Sequence, residues 1–335
     1  MKNASDKIVT IIGGSGFIGR YVTRRLAKAG FRVRVAVRRP DLAGYLQPSG
    51  GVGQVFPIQG NVRFPKSIEA AVKGADYVIN LAGITDQRGK QKFDIVNAQG
   101  AKTVAELAAK HGVEKLIHFS TLNAEPKNDE DDADTFLTSN YSGEENVKAA
   151  FPTAIIVRPS VVFGPEDRLF NIIARFAKLG RYVAPIFSDL EKSFEPVYVD
   201  DIAKAMVALI DSEYAGVTFE LGGPRKMTMA DIVNKTLSAC NRDAKIIAVP
   251  SILANIFSSI CTMLPYSWVT RGEVELWSRD NVVSDAAKAA GHTLEGLGIK
   301  PTNCDEAILP YLQHNRPDGD YGLHAIKTPE LETKN

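Results

Sequence analysis

The sequence predicts an α/β protein, a doubly wound parallel sheet with a smaller C-terminal lobe, and three observations predict it. Between residue 7 and about residue 165, short apolar runs alternate with helix-length segments, the rhythm of strand–helix–strand units. The runs are rich in Val, Ile and Phe, as strands covered on both faces are. The first run leads straight into Gly13, Gly14, Gly16 and Gly19 and then into an apolar helix. A chain of 335 residues has room for one large domain with an appended lobe, or for two domains.

Taken in order, strands are expected at residues 8–12, 32–37, 54–58, 77–81, 116–120 and 153–158, and helices at 18–29, 65–72, 97–111 and 141–150. Gly30, Gly74 and Gly112 follow helices, where glycine takes the left-handed turn that ends them. His111 precedes Gly112 at a helix C-terminus, which favours a cation. The acidic stretch 128–134 reads as a solvated loop. After residue 165 the rhythm loosens into a helix at 169–179, a strand at 196–199 and a helix at 201–210, with Asp200 and Asp201 as candidate N-caps. The expected boundaries are 1–165 for the sheet domain, with a strand and helix returning to it from about 195–225, and 166–316 for the smaller lobe. Residues 317–335 form a polar tail, expected to be poorly ordered unless a partner holds it.

Hydrophobic residues make up 44% and charged residues 24%, the composition of an ordinary soluble globular chain. A formal net charge of +1 provides no global field, and no nucleic-acid partner is expected. Cys240, Cys261 and Cys304 are far apart and form no C-x-x-C pair, so neither a disulfide framework nor a zinc site is expected, and a reducing compartment is. His118, His292, His314 and His324 form no ligand-like cluster, so no metal is expected. The start, residues 1–7, is polar and short, which implies no leader and a protein that stays where it is made. No apolar run approaches the roughly 18 residues of a membrane span. Ile252, Leu253, Ile256, Phe257, Ile260, Met263 and Leu264 recur at helical spacing, which suits either a core-packing helix or docking to a membrane-proximal partner.

The glycines carry the first chemical signal. Gly13-Gly14-Ser15-Gly16-Phe17-Ile18-Gly19 lies between a strand and a helix, where a tight turn, close backbone approach and close helix packing aim helix N–H groups at a pyrophosphate. The second strand runs into Arg38 and Arg39, where an NAD site places a carboxylate for the ribose diol. Guanidinium forks match a 2′-phosphate, so NADP(H) is favoured over NAD(H). The other reading leaves both arginines solvated and gives the ribose to Asp41.

With these residues the chain resembles the extended and atypical short-chain dehydrogenases, the epimerase/dehydratase-like group with a Rossmann-like fold. The resemblance continues through Gly60-Asn61-Val62, Asn80-Leu81-Ala82-Gly83, Phe119-Ser120-Thr121, Arg158-Pro159-Ser160-Val161-Val162-Phe163-Gly164-Pro165 and Phe194-Glu195-Pro196-Val197-Tyr198-Val199-Asp200-Asp201, most of residues 7–225. It implies that Asn61 and Val62 lie by the adenine and that Leu81, Ala82 and Gly83 border the riboses. It also implies that Pro159, Ser160 and Val161 lie against the nicotinamide; Ser120 or Thr121 either brings a hydroxyl near that site or simply satisfies the end of its strand.

Active members of that family carry Tyr-x-x-x-Lys on a helix, the lysine cation bringing a phenol pKa near 10 toward neutrality. Here Ser139, Gly143 and Glu144 set the register, and the tyrosine place is Phe136 and the lysine place Asn140. Phe has no proton to give and Asn no charge, so no catalytic residue is expected. A slipped register offers Tyr141 with Glu145, whose carboxylate would raise the phenol pKa.

A narrower resemblance is to the NADPH-binding accessory subunits of respiratory complex I, the NADH:ubiquinone oxidoreductase, and their bacterial homologues. It rests on residues 149–160, on Gly164-Pro165-Glu166-Asp167-Arg168, on Asp280-Asn281-Val282-Val283 and on Leu297-Gly298-Ile299-Lys300-Pro301-Thr302. It implies a structural NADPH without turnover, complex I partners in the peripheral arm near the membrane, and membrane-surface contact through residues 252–264. The implied place is the bacterial cytoplasm beside the inner membrane, or the matrix side in a processed mitochondrial form. The rival is an active NADP-dependent reductase or epimerase, for instance in ubiquinone metabolism.

Overall fold

In the computed structural model, which describes residues 4–126, 135–180, 183–261 and 269–317, seven strands form one parallel sheet. They are β1 (Ile8–Ile12), β2 (Arg32–Val37), β3 (Val55–Gln59), β4 (Tyr77–Asn80), β5 (Lys115–Phe119), β6 (Ile155–Pro159) and β7 (Thr218–Leu221). Their spatial order is β7-β6-β5-β4-β1-β2-β3. The order reverses between β1 and β4, and the crevice outside the C-terminal ends of such strands is where doubly wound sheets take ligands. The six strands expected from apolar runs all form, with ends displaced by about two residues or fewer.

The sheet is apolar on both faces because helices cover both. On one face Val9, Ile11, Val33, Val35 and Val157 pack under α1 (Phe17–Lys28). On the other, Ile12, Val78, Leu116 and Ile156 pack under α2 (Pro65–Val72), α3 (Gln99–Lys110) and α4 (Phe136–Ala150). After α5 (Leu169–Gly180), α6 (Val199–Asp211) joins α1 on the first face through Ile202, Met206 and Leu209. A second apolar cluster gathers Phe163, Phe170, Ile173 and Phe176 with Ile232 and Val233 of α7 (Met229–Ala239) and with Trp277.

Three local expectations change. α4 begins at Phe136, five residues before residue 141, because Thr135 and Thr138 form a reciprocal capping box. The helix expected at 97–111 starts as a π turn, Asp94–Ala98, before α3 proper. Asp200 and Asp201 are not N-caps; Tyr198 holds that position and both carboxylates lie in the first turn of α6. Asp200 pairs with Arg25 instead, and Asp201 accepts from Lys204 at 2.7 Å and from the Thr302 N–H at 2.7 Å.

The amphipathic segment forms α8 (Ser251–Cys261). Ala254 and Ser258 are buried and Phe257 stacks on Phe187 at 5.0 Å, whereas Leu253, Ile256 and Ile260 stay 55%, 52% and 57% exposed. One face is thus core and the other apolar surface. Met263 and Leu264 lie outside the described residues, as do the acidic stretch 128–134 and all but the first residue of the tail expected at 317–335. No helix of the described residues is long and apolar enough to cross a membrane.

Candidate cofactor cleft

β1 ends at Ile12, and Gly13 turns the chain with φ +81°, its N–H donating to the Ala36 carbonyl at 2.9 Å. A Cβ on Gly13 would lie 3.1 Å from the Leu81–Ala82 backbone, and one on Gly19 only 2.5 Å from Gly14. The loop therefore presses against both the β4 end and its own helix, and only glycine permits it. Gly16 is the N-cap of α1 and brings no side chain to its first amides, which have no intrahelical acceptor.

A cavity of about 400 Å³ opens here. Ile12, Gly13, Ser15 and Gly16 form one wall, Ala36, Val37 and Arg38 another, Gly60, Asn61, Val62 and Arg63 a third, and Leu81, Ala82, Gly83 and Ile84 a fourth. Segments expected to touch pyrophosphate, ribose and adenine thus meet in one place. The two arginines divide. Arg38 lines the cavity, whereas Arg39 points outward to Asp41 at 2.8 Å, with both side chains exposed. The Arg39 hydrogen bond holds the Asp41 carboxyl below its usual range.

Two neighbours of this cavity escaped the sequence reading. Arg63 follows Asn61 and Val62 in the lining and stacks on Phe64 at 5.5 Å. Tyr45, on a 3-10 segment after β2, donates to the Ser15 carbonyl at 2.7 Å and carries the Arg20 guanidinium at 5.4 Å. A cation one residue after Gly60-Asn61-Val62 was a usable signal for Arg63; Tyr45 had none.

A second cavity, about 290 Å³, shares Leu81, Ala82, Gly83 and Ile84 with the first. Phe17, Ile18, Ser120, Pro159, Ser160 and Val161 line it, together with Phe136 and Asn140. Its far wall is Arg168 and Leu169 with Glu273, Leu276 and Trp277 of α9 (Arg271–Trp277). Gly19 and Arg39 line neither cavity, and nor does Tyr141.

Several polar groups around the second cavity are occupied. Phe136 is 8% exposed and meets Phe93 edge-on at 6.0 Å. The Asn140 amide donates back to the Phe136 carbonyl at 2.7 Å. Ser120 Oγ donates to Glu144 at 2.5 Å, and the buried Glu144 carboxylate also takes the Arg158 fork at 2.8 and 2.7 Å. Ser160 Oγ donates to the Asn281 carbonyl at 2.8 Å. Ser139 is held by the Asn97 amide at 3.1 Å, and Asn97 Oδ1 accepts the Ile84 N–H at 2.9 Å, which pins the shared wall. His118, below the strand ends, has its Nδ1 3.1 Å from the Asn80 amide; burial pushes its pKa down to about 4 against the pull of Glu144, so the ring is neutral. Asp167, beside the loop after β6, is pushed up to about 6 by burial although Tyr311 donates to it at 2.6 Å.

Backbone cradle, cleft position and cation together fit a nicotinamide dinucleotide. Residues 9–222 match the model of the NAD dependent epimerase/dehydratase family. The 40 kDa mitochondrial subunit of NADH-ubiquinone oxidoreductase from Neurospora crassa is 31% identical over 316 residues, covering 94% of this chain and 81% of that subunit. The alpha subcomplex subunit 9 of NADH dehydrogenase [ubiquinone] 1 from Mus musculus is 31% identical over 320 residues, covering 94% and 82%. A ceramide reductase from Caulobacter vibrioides is 30% identical over 249 residues, covering 72% and 74%. Among solved structures, a dTDP-glucose 4,6-dehydratase from Streptomyces venezuelae superposes with a TM-score of 0.68 at 16% identity, covering 93% of this chain and 98% of that one, which shows the shared fold. With its glycine cradle, strand order and family match in agreement, the chain belongs to the NAD-dependent epimerase/dehydratase family.

Proposed function

We propose that this protein holds NADPH as a fixed part of its fold, without turning it over, and serves as an accessory subunit of respiratory complex I. The observation that carries the first half is an intact cofactor cradle opening onto a second cavity whose acid and base places are Phe136 and Asn140. Gly13, Ser15 and Gly16 with the α1 N-terminus would seat the pyrophosphate, and Gly19 lets that helix approach. Arg38 would take the 2′-phosphate, with Arg63 a second cation at the same cavity. Asn61 and Val62 would flank the adenine, Leu81, Ala82 and Gly83 the riboses, and Pro159, Ser160 and Val161 the nicotinamide. When bound, the nicotinamide supplies a hydride donor. The chain provides position and an apolar neighbourhood but no proton at the acid place, and general acid–base catalysis is worth about 10² to 10⁴ in rate.

The second half rests on similarity to complex I subunits along 94% of the chain. In that assembly the protein would sit in the peripheral arm near the membrane, on the cytoplasmic side of a bacterial inner membrane or the matrix side of a mitochondrial one. The exposed Leu253, Ile256 and Ile260 of α8 would then meet the membrane surface. A second reading, an active NADP-dependent reductase, is favoured by the apolar second cavity and by the relative named a ceramide reductase.

The test begins with the purified protein. Its released nucleotide is identified by mass, and the reduced-nicotinamide absorbance is followed with quinones and ketones. Stoichiometric NADPH, no turnover and copurification with complex I are expected. Steady NADPH oxidation would overturn the fixed-cofactor reading, and purification free of complex I would overturn the subunit reading.

A further inference from the structure

The second cavity is built unlike a site for a polar substrate. Its walls include Phe136, Val161, Leu169, Leu276 and Trp277. Most of the polar side chains that reach it already bond to protein: Ser120 to Glu144, Ser160 to the Asn281 carbonyl, Asn140 to the Phe136 carbonyl, and Arg168 to Glu273, which leaves the Thr85 and Thr121 hydroxyls among the other polar groups of the lining. A polar ligand would lose its water hydrogen bonds there with few replacements, whereas an apolar one loses none.

The cavity is also held open. Glu275 of α9 accepts the N–H groups of Phe136 and Leu137 at 2.9 and 3.3 Å, so the α9 wall is anchored to the first turn of α4. The Gly272 N–H donates to the Thr85 carbonyl at 3.0 Å, and a Cβ there would lie 3.0 Å from the Phe136 ring. These ties preorganise two walls whose segments lie 139 residues apart along the chain and spare a ligand the cost of ordering them. At its rim the cavity shares Gly83, Ile84, Thr85 and Arg168 with a polar opening of about 330 Å³ that also exposes Asp86, Arg88 and Gln91. An apolar interior with a charged mouth suits one hydrocarbon chain carrying a polar head.

We propose that this cavity binds a single hydrocarbon chain, acyl or prenyl, tail inward and polar head at the mouth by Arg168, lying beside the nicotinamide position and not reduced there. That last clause rests on the fixed-cofactor reading; the binding itself does not. Such a ligand would touch α4 and α9 at once and so join the sheet domain to the C-terminal part of the chain.

The experiment titrates the purified full chain with cis-parinaric acid, whose fluorescence rises in apolar surroundings. Saturable binding at one site is expected, displaced by decanoic acid, by farnesol or by both; displacement by one alone names the chain type. Leu276→Gln is expected to weaken binding about tenfold or more, the effect of losing one apolar contact of that size, while Leu276→Met keeps it. Ile256→Gln, on the exposed face of α8, is expected to leave it unchanged. Absence of saturable binding, displacement by neither competitor, or a loss that follows Ile256→Gln instead of Leu276→Gln would overturn the proposal. Nucleotide content by mass in the same samples separates the two readings. Leu276-dependent binding without nucleotide keeps the cavity site and removes the cofactor reading, and nucleotide without probe binding does the reverse.

Discussion

Phe136 and Asn140 lie one turn apart on α4, and the same spacing that would put a phenol and an ammonium on one face here puts a ring and an amide there. Phe136→Tyr alone adds a phenol near its ordinary pKa, and Asn140→Lys alone adds a cation with nothing to activate. Both singles are expected to stay without turnover. The double variant is expected to oxidise NADPH with a small ketone measurably above the parent, read as loss of reduced-nicotinamide absorbance; a silent double variant would mean that the substrate wall, not the missing acid, blocks the reaction. Arg38 allows a second prediction. Because Arg39 is committed to Asp41 and Arg38 lines the cavity, Arg38→Ala should weaken NADPH about tenfold or more and leave NADH nearly unchanged by calorimetric titration. Equal losses for both would show that the guanidinium reads no 2′-phosphate. The sequence placed both arginines in the right turn, but only the side-chain directions separate them.

At the scale of elements, the first surprise is the α4 start. Sequence pattern placed it at residue 141, where apolar periodicity becomes visible. Thr135, Thr138 and the distant Glu275 together satisfy its first amides, and the helix gains the turn that carries Phe136 and Asn140. Glu144, from the same helix, is buried among Ser120, Arg158 and Lys148. Replacing it by Gln leaves the half-buried Arg158 without its carboxylate, so Glu144→Gln should destabilise the fold by about 3–5 kcal/mol in urea unfolding. A change below about 1 kcal/mol would mean that water reaches Arg158 freely. The carboxylate was legible as a register marker of the family motif; its burial was not, because nothing local distinguishes it from the exposed Glu145.

For the whole molecule, two buried groups act in opposite directions on stability. The folded His118 resists protonation down to about 4, while the unfolded chain takes up the proton near 6.5, so its contribution is complete above 6.5 and is lost as pH falls toward 4. Asp167 keeps its proton up to about 6 when folded and releases it near 3.8 when unfolded, so its contribution is complete below 3.8 and is lost as pH rises toward 6. Each amounts to something on the order of 3 kcal/mol, and between about 4 and 6 they offset one another. Urea midpoints should therefore be nearly flat there in the parent, fall with rising pH in His118→Gln, and rise with pH in Asp167→Asn. Parallel slopes in all three would contradict this balance. On the proposed reading, bound NADPH would add about 2.7 kcal/mol at a hundredfold excess over its dissociation constant, which would tie assembly to cofactor supply.

Alone, the sequence determined the strand–helix rhythm, the parallel sheet and the glycine cradle, because each depends on short-range sterics and on apolar periodicity within a few residues. It also put Phe136 and Asn140, not Tyr and Lys, at the positions that the register of the family motif assigns to that pair. Only the tertiary structure decided that Arg38 and not Arg39 faces the cleft, that α8 stacks a partly buried Phe257 on Phe187 while exposing Ile256, and that α9 closes a cavity against Phe136. The reason is distance along the chain: Glu275 meets the Phe136 amide 139 residues away and Glu273 meets Arg168 across 105, and no local pattern encodes a wall made by segments that far apart.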